Sequence, residues 1–329
     1  MKRFVINKND AGQRVDKFIV KAAPNLPKSL MYKAIRNKDI KLNRKRCEIS
    51  DRLCEGDVLE LYLKDEFFAT APDERDFLKV SADIDVVYED ENILLVNKKQ
   101  GLVVHEDDEN TRDTLINRIK RYLYEKGEYR PEEENSFVPS LCNRIDRNTS
   151  GIVIAAKNAE SLRILNEKIR EREMEKRYLC ITVGAPPKKH DTVTVYMQKD
   201  SAENMVRVSP KPEKGYLTAI TEYTVLEKKG ELALVEVLLH TGRTHQIRAL
   251  FSYLGCPLLG DGKYGINSVN REYKLKTQAL CSYKLKFTFK TDGGILSYLD
   301  GREFSVKSVW FADEFFGKDR KSSFSQKKA

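Results

Sequence analysis

The sequence predicts an α+β fold: a small N-terminal α/β module, then a larger domain built on a mixed, mainly antiparallel sheet flanked by helices. Three observations carry this. Near the N-terminus, apolar residues recur at helical spacing in two short segments that stand beside strand-like ones. Beyond residue 80, runs of β-branched and aromatic residues outnumber the helical segments and are joined by short polar turns. Between the two patterns, residues 64–79 show no sustained period and include Pro72. A chain of 329 residues is long enough for two domains. The expected division is a module at 1–63, a linker at 64–80, a main domain at 81–316 and a tail at 317–329.

In the module, Val15, Phe18, Ile19 and Ala22 make one helical stripe and Leu30, Met31, Ala34 and Ile35 a second, with Pro27 suited to a first turn. Helices this short need a shared core, which strands at 40–43 and 58–63 would supply. The main domain opens with a strand pair, 86–88 and 93–96, around a turn at 89–92. A helix at 114–126 carries Leu115, Ile116, Ile119, Tyr122 and Leu123 on one face. Residues 128–136, with Pro131 and three consecutive glutamates, read as a polar surface insertion. The apolar run 152–156 is a buried strand, 159–174 an amphipathic helix through Leu162, Leu165 and Ile169, and 178–183 a strand ended by Pro186-Pro187. Strands follow at 193–195, 219–225, 232–239 and 284–289. Ile247, Leu250, Phe251 and Leu254, with Gly255 just beyond, mark a helix at 244–254. Residues 200–216, polar, basic and rich in Pro and Gly, read as a mobile loop, and the basic tail is too polar to pack and is expected to be disordered.

Lys and Arg number 59 against 50 Asp and Glu, a formal charge of +9 that favours a polyanionic partner. The excess is local: residues 28–46 hold eight basic side chains (Lys28, Lys33, Arg36, Lys38, Lys41, Arg44, Lys45, Arg46) against one acid, Asp39. So one-sided a run reads as a patch for phosphate contact. No apolar run approaches the ~18 residues of a membrane span, and the few apolar residues after Met1-Lys2-Arg3 are too short for a signal-peptide core, so a cytoplasmic protein is expected. The six cysteines are scattered with no C-x-x-C pair to hold a metal, and are expected as free, mostly buried thiols. Cys142, four residues before Asp146, is expected to be structural.

The chemistry concentrates at Asn143-Arg144-Ile145-Asp146-Arg147-Asn148-Thr149-Ser150-Gly151. A single carboxylate between two guanidinium groups, in a polar turn feeding a buried strand, is both rigid and accessible. Two arginines beside a carboxylate are expected to favour its charged form. Taken alone, the same residues also fit a turn that Asp146 caps. Two further segments change that balance: Glu175-Lys176-Arg177-Tyr178-Leu179 opens a strand, and His240-Thr241-Gly242-Arg243-Thr244-His245-Gln246-Ile247-Arg248 enters a helix.

Together the three segments closely resemble the signature of the RluA-type (RluC/RluD-like) pseudouridine synthases, in which an H-R-L-D-x-x-T-S-G element, a basic-x-Tyr element and a T-G-R-x-H-Q-I-R element build one active site. The resemblance covers roughly residues 84–290 and continues in Gly260-Asp261-Gly262-Lys263-Tyr264-Gly265. It departs where Asn143 replaces His, Ile145 replaces Leu, and Lys99 replaces Pro in Lys98-Lys99-Gln100-Gly101-Leu102-Val103-Val104-His105. These flank the carboxylate and bear on substrate choice. The pattern R-x-D-K-x-(I/L) at 14–19 and Gly56-Asp57-Val58 resemble a small RNA-binding domain first described in a small-subunit ribosomal protein.

The resemblance implies an isomerase of uridines in structured RNA, by added analogy of the module in large-subunit ribosomal RNA. Asp146 is then the catalytic residue, either attacking the anomeric carbon or removing a proton from the neighbouring ribose carbon. Tyr178 would stack on the uracil with its hydroxyl in reach of ribose or base. Arg243, at the helix edge, would fork onto the Asp146 carboxylate. Arg144 would fill the space left by a flipped base or hold the flipped nucleotide's backbone. Lys28, Lys33, Arg36, Lys41, Arg44, Lys45 and Arg46 would contact RNA phosphates. The reaction has no redox step and no external nucleophile, so no cofactor and no metal are expected, and the protein is expected to act as a monomer. A non-catalytic RNA-binding or ribosome-assembly protein explains the basic patch but gives no reason for Asp146, Tyr178 and Arg243 to occur together. A glycosidase normally needs a second carboxylate.

Overall fold

The computed structural model describes residues 1–68, 76–106, 111–200 and 202–317. Of these, the residues within Met1–Asp83, His105–Ser140 and Ala156–Arg163 make one compact unit, and those within Ile84–Val104, Leu141–Ala155 and Ile164–Ala329 a second. None of the described helices is long and apolar enough to cross a membrane.

The first unit begins with β1 (Lys2–Val5), α1 (Val15–Ala22), α2 (Lys28–Arg36), β2 (Ile40–Leu42), β3 (Lys45–Arg46) and β4 (Val58–Leu61). Its antiparallel sheet has the order β1-β4-β2-β3. Val15, Phe18 and Ile19 of α1 and Met31 and Ile35 of α2 close on Leu59, which is the shared core that two such short helices require. Arg14 forks onto Asp16 at 3.0 and 2.9 Å, and Asp57 accepts the Cys54 amide at 2.7 Å, so both resembling patterns are local staples. The expected linker opens and closes in single turns, Asp65–Phe68 and Asp76–Lys79, whose Phe68 and Phe77 are buried. Residues 69–75 between them, and 318–329 of the expected tail, lie outside the described residues.

In the same unit, α3 (Leu115–Glu125) is capped by the Thr114 hydroxyl, which accepts the Asn117 amide at 3.3 Å. The stretch 128–136 is not a free surface insertion. Asn135 and Ser136 donate to the two oxygens of buried Asp10 at 2.6 Å each, Gln13 donates to Ser136 at 2.8 Å, and Asn9 to Glu134 at 2.6 Å. Asn135 and Ser136 supply the donors that the buried Asp10 carboxylate requires.

The second unit is dominated by one mixed sheet; of the elements that follow, Ser140 of β7, Ala156 of β8 and the part of α4 up to Arg163 belong to the first unit. In chain order come β5 (Val86–Glu89), β6 (Ile93–Lys98), β7 (Ser140–Leu141), β8 (Ser150–Ala156), α4 (Ala159–Arg170), β9 (Met174–Val183), β10 (His190–Asp200), β11 (Met205–Ser209), β12 (Leu217–Lys229), β13 (Leu232–Leu239), α5 (Gln246–Tyr253), α6 (Asn267–Glu272), β14 (Leu280–Phe287), β15 (Glu303–Ser305) and α7 (Trp310–Phe316). The sheet runs β11-β10-β12-β13-β9-β14-β8-β6-β5, with β15 on β14 and β7 on β8. β14 and β8 are parallel, Cys281 facing Ser150 and Ser282 facing Gly151, while β9 is antiparallel to β13 and β14. Ile247 and Phe251 of α5 pack on Cys180, Tyr223, Val235 and Val237.

Four further expectations need correction. The helix expected over 159–174 stops at Arg170, because Arg172 takes a left-handed φ of 59° and turns buried Glu173 back onto Lys168 at 2.8 Å. The stretch 200–216 is not loop throughout, since β11 pairs with β10 along Tyr196–Asp200. The strand expected at 284–289 is displaced to Leu280–Phe287. The helix expected from 244 starts at Gln246, because His245 has a left-handed φ of 50°.

Candidate active site

Asp146 stands in a tight turn, its carbonyl accepting the Thr149 amide at 3.0 Å, immediately before β8. Gly151 makes the placement of that strand possible. It has a φ of 112°, and a Cβ there would lie 2.2 Å from the Ser282 carbonyl oxygen on β14. Behind the turn, the Lys98 ammonium, 1% exposed, donates to the carbonyls of Lys99, Leu102 and Arg147 at 3.1, 2.8 and 2.8 Å. Gln100 donates to the carbonyls of Asn148 and Gln278 at 3.2 and 2.8 Å. The segment from Lys98 to Gln100 therefore clamps the main chain that follows Asp146. Burial pulls Lys98 down to about 8, with the nearby Asp146 charge opposing it.

The carboxylate's partner is Arg248, not Arg243. Arg248 Nη1 donates to Asp146 Oδ2 at 2.8 Å, while its Nε and Nη2 fork onto Asp261 at 2.7 and 3.0 Å. Asp261 is fully buried. Burial alone would depress the Arg248 guanidinium, but the Asp261 bonds and the two carboxylate charges outweigh it and hold it above its ordinary value. Burial likewise raises Asp261, and Arg248 with the Lys263 and Tyr264 amides more than reverses this. Arg243 lies five residues earlier, outside α5. Its amide donates to Gln246 Oε1 at 2.9 Å and its Nε to the Thr218 carbonyl at 3.0 Å, which directs it to β12. The buried Gln246 side chain secures this loop by also accepting from Thr241 and donating to Ile220 and Thr221.

Tyr178 lies on β9 next to this cluster, 7% exposed, and its hydroxyl shares a hydrogen bond with Ser282. Burial pushes its phenol up to about 12, with the Asp146 charge adding to the effect. Arg144 is exposed and makes no ion pair among the described residues. Asn143, the departure from histidine, bonds the sheet: its Oδ1 accepts the Ile154 amide at 2.8 Å. His245 Nδ1 lies 2.9 Å from the Tyr264 hydroxyl, and its Nε2 lies 3.9 Å from Asp146 Oδ2. Sequence reasoning missed Arg248, Asp261, His245, Tyr264 and Lys98 as site residues, although all five stand inside the segments quoted for the resemblance. In the first unit, Lys28, Lys33, Arg36, Arg44, Lys45 and Arg46 are exposed, and the Lys41 ammonium lies 5.1 Å from the centre of the exposed Tyr62 ring.

Comparison with known proteins bears on this geometry. The family model for RNA pseudouridylate synthase matches residues 92–253. An RNA pseudouridine synthase of Mycoplasma capricolum subsp. capricolum, described as uncharacterized, is 33% identical over 95% of this chain and 99% of its own length. The ribosomal large subunit pseudouridine synthase C of Vibrio cholerae serotype O1 is 33% identical over 79% of each chain. Among solved structures, human RNA pseudouridylate synthase domain containing 4 superposes with a TM-score of 0.54 at 21% identity, covering 69% of this chain and 89% of that one, a likeness of fold.

Proposed function

The chain belongs to the RNA pseudouridine synthase family, and we propose that it isomerises specific uridines of structured large-subunit ribosomal RNA with Asp146 as the catalytic carboxylate. One observation carries the reading. Arg248 holds Asp146 Oδ2 at 2.8 Å and is itself locked onto buried Asp261, so the carboxylate is fixed in direction while its side chain stays 29% exposed. Such a group is preorganised before any substrate arrives.

In the reaction the ribose C1′–N1 bond of uridine breaks, the base turns, and C1′ bonds to C5, which gives up its proton while N1 gains one. Asp146 serves either by attacking C1′ or by taking a proton from C2′. Tyr178, whose phenol keeps its proton at any working pH, faces base or ribose beside the carboxylate. Arg144, exposed two residues before it, holds the backbone of the flipped nucleotide. Arg243, partly exposed and not spent on the carboxylate, is left to meet an RNA phosphate. Residues 1–63 act as an RNA-binding module whose cations supply affinity and orientation without reading bases. The ribosomal target is supported by the name of the Vibrio relative, and a cytoplasmic monomer is part of the same proposal.

Pseudouridine mapping in RNA from cells with and without the protein tests the target: sites absent from large-subunit RNA and lost only from transfer RNA would replace that part of the reading. Asp146→Asn should lower single-turnover conversion by roughly 10⁴-fold with RNA affinity within a few-fold. Full turnover by that variant would sink the catalytic assignment.

A further inference from the structure

His245 stands at the junction of three elements, and none of the roles assigned above uses it. It precedes α5 in a left-handed conformation, φ 50°, which turns the ring away from the helix path and into the site. Its side chain is 11% exposed. On one side, the Tyr264 hydroxyl lies 2.9 Å from Nδ1. On the other, Nε2 lies 3.9 Å from Oδ2 of Asp146, the oxygen that Arg248 also holds.

We assign the Tyr264 proton to the bond with His245 Nδ1, the arrangement in which the hydroxyl both accepts the Val206 amide of β11 at 2.7 Å and donates in turn. An accepting Nδ1 puts the ring's proton on Nε2, directed at the carboxylate. A separation of 3.9 Å is too long for a hydrogen bond, but it closes with a small ring rotation, and catalytic bonds commonly tighten once substrate is bound. The groups facing the ring are Asp146 from the turn before β8, Arg248 from α5, and Asp261, Lys263 and Tyr264 from the turn before α6. Burial is the largest influence on the ring and lowers its basicity. Arg248 and Lys263 act in the same sense, Asp146 and Asp261 oppose, and the net direction is down.

We propose that His245 is a positioning residue for Asp146: a neutral imidazole whose Nε2–H, together with Arg248, holds Oδ2, so that Oδ1 is the oxygen presented to the ribose. Because Tyr264 sets the tautomer and β11 sets Tyr264, the seating of the β10–β11 hairpin is part of the catalytic geometry. Lys263, which donates to the Asn204 carbonyl at 2.9 Å, ties the same hairpin to the same turn. Protonating the ring makes Nδ1 a donor to the Tyr264 oxygen, whose own proton then loses its acceptor. It also places a second cation beside Arg248. The rate should therefore fall at acid pH with a midpoint below that of an ordinary histidine, ~6.5.

This rests on Asp146 being the catalytic carboxylate, and the test separates the two. Single-turnover conversion at saturating enzyme is followed from pH 5 to 8 on total RNA from cells lacking the protein, with RNA affinity measured in parallel. Wild type, Asp146→Asn, His245→Gln and Tyr264→Phe are compared. The phenylalanine keeps the ring over Arg248 and removes only the hydroxyl. His245→Gln and Tyr264→Phe should each lose about ten-fold in rate, the worth of one hydrogen bond, with affinity unchanged. The acid limb should vanish in His245→Gln. If Asp146→Asn is dead while His245→Gln keeps both the wild-type rate and the acid limb, the inference falls and the catalytic reading stands. If Asp146→Asn is active, both fall.

Discussion

Between Lys28 and Arg46 the cations stand in solvent, Lys41 alone being half-buried, whereas the two beside Asp146, Lys98 and Arg248, are 1% and 6% exposed. The side-chain chemistry is the same and the solvation opposite. An exposed cation is screened beyond about 8 Å at physiological ionic strength, contributes little at any one contact, and acts by number. A buried cation is fixed by its acceptors, three carbonyls for Lys98 and two carboxylates for Arg248, and neither number nor approximate position can replace it. The first region should therefore answer to salt and the second to geometry and pH.

The sharpest way to break that contrast is Arg248→Ala. It leaves fully buried Asp261 without its partner and should cost roughly 3–5 kcal/mol in urea unfolding at neutral pH, with activity lost. Arg248→Lys keeps a charge but cannot fork onto Asp261 while reaching Asp146, so turnover should still collapse. The sign with pH follows from Asp261, whose folded-state pKa Arg248 helps to hold below its unfolded value. That stabilisation is present above the unfolded pKa and is lost as pH falls through the folded one, so the alanine deficit should shrink towards acid. An Arg248→Ala protein as stable as wild type would abolish the distinction.

Lys98 sharpens it at the alkaline end. Its folded pKa, about 8, lies below the unfolded value of 10.5, so the unfolded chain binds the proton more tightly. The penalty for burying the charge is fully present below pH 8 and is relieved as pH rises towards 10.5. Relative to Lys98→Met, wild type should gain about 3 kcal/mol across that window in chemical unfolding. Parallel stability curves for the two proteins would show that Lys98 does not titrate there.

The smallest effect belongs to the patch. Deleting residues 1–63 would also remove Asp10 and its bonds to Asn135 and Ser136, so neutral substitutions are the cleaner probe. Lys28→Gln, Lys33→Gln and Arg36→Gln combined should flatten the dependence of log affinity on log salt by about 0.7–0.9 for each phosphate left unneutralised. Folding stability should stay within about 0.5 kcal/mol per site, and turnover at saturating enzyme should not change. An unaltered salt slope would make the run an ordinary solvated surface.

What was legible in the sequence follows from which signals are periodic. The stripes at Val15, Phe18 and Ile19 and at Leu115, Ile119 and Leu123 fall in helices with those residues buried, since burial of a face leaves a spacing in the chain. A single left-handed residue leaves none, so the helix ends at Arg172 and His245 were misplaced. β11 hid among polar and proline residues because this edge strand of five residues buries only Val206 and Ser209, too few to leave a period. The choice of Arg243 over Arg248 failed for a related reason. Arg248 stands among Ile247, Ala249, Leu250 and Phe251, all buried, and an arginine in such a run demands a buried acid. Asp261 could be seen in the sequence as part of a turn, but not as that acid. Asp146 stood out as a candidate because its nine-residue polar turn, 143–151, feeds an apolar run and two further motifs follow at 175–179 and 240–248.

The parallel pairing of β8 with β14 has a consequence for how the protein is made. Strand β14 lies between β9 and β8, so among the described strands it alone joins the β9–β13 half of the sheet to the half containing β8, β6 and β5. Its residue Cys281 and the partner Ser150 on β8 are about 130 residues apart, a long loop to close and a slow contact to find. A nascent chain that has emerged only as far as α6 holds both half-sheets and every charged group around Asp146, yet lacks the strand that sets them in register. Until β14 is made, the turn carrying Asp146 and the helix carrying Arg248 stand on different half-sheets.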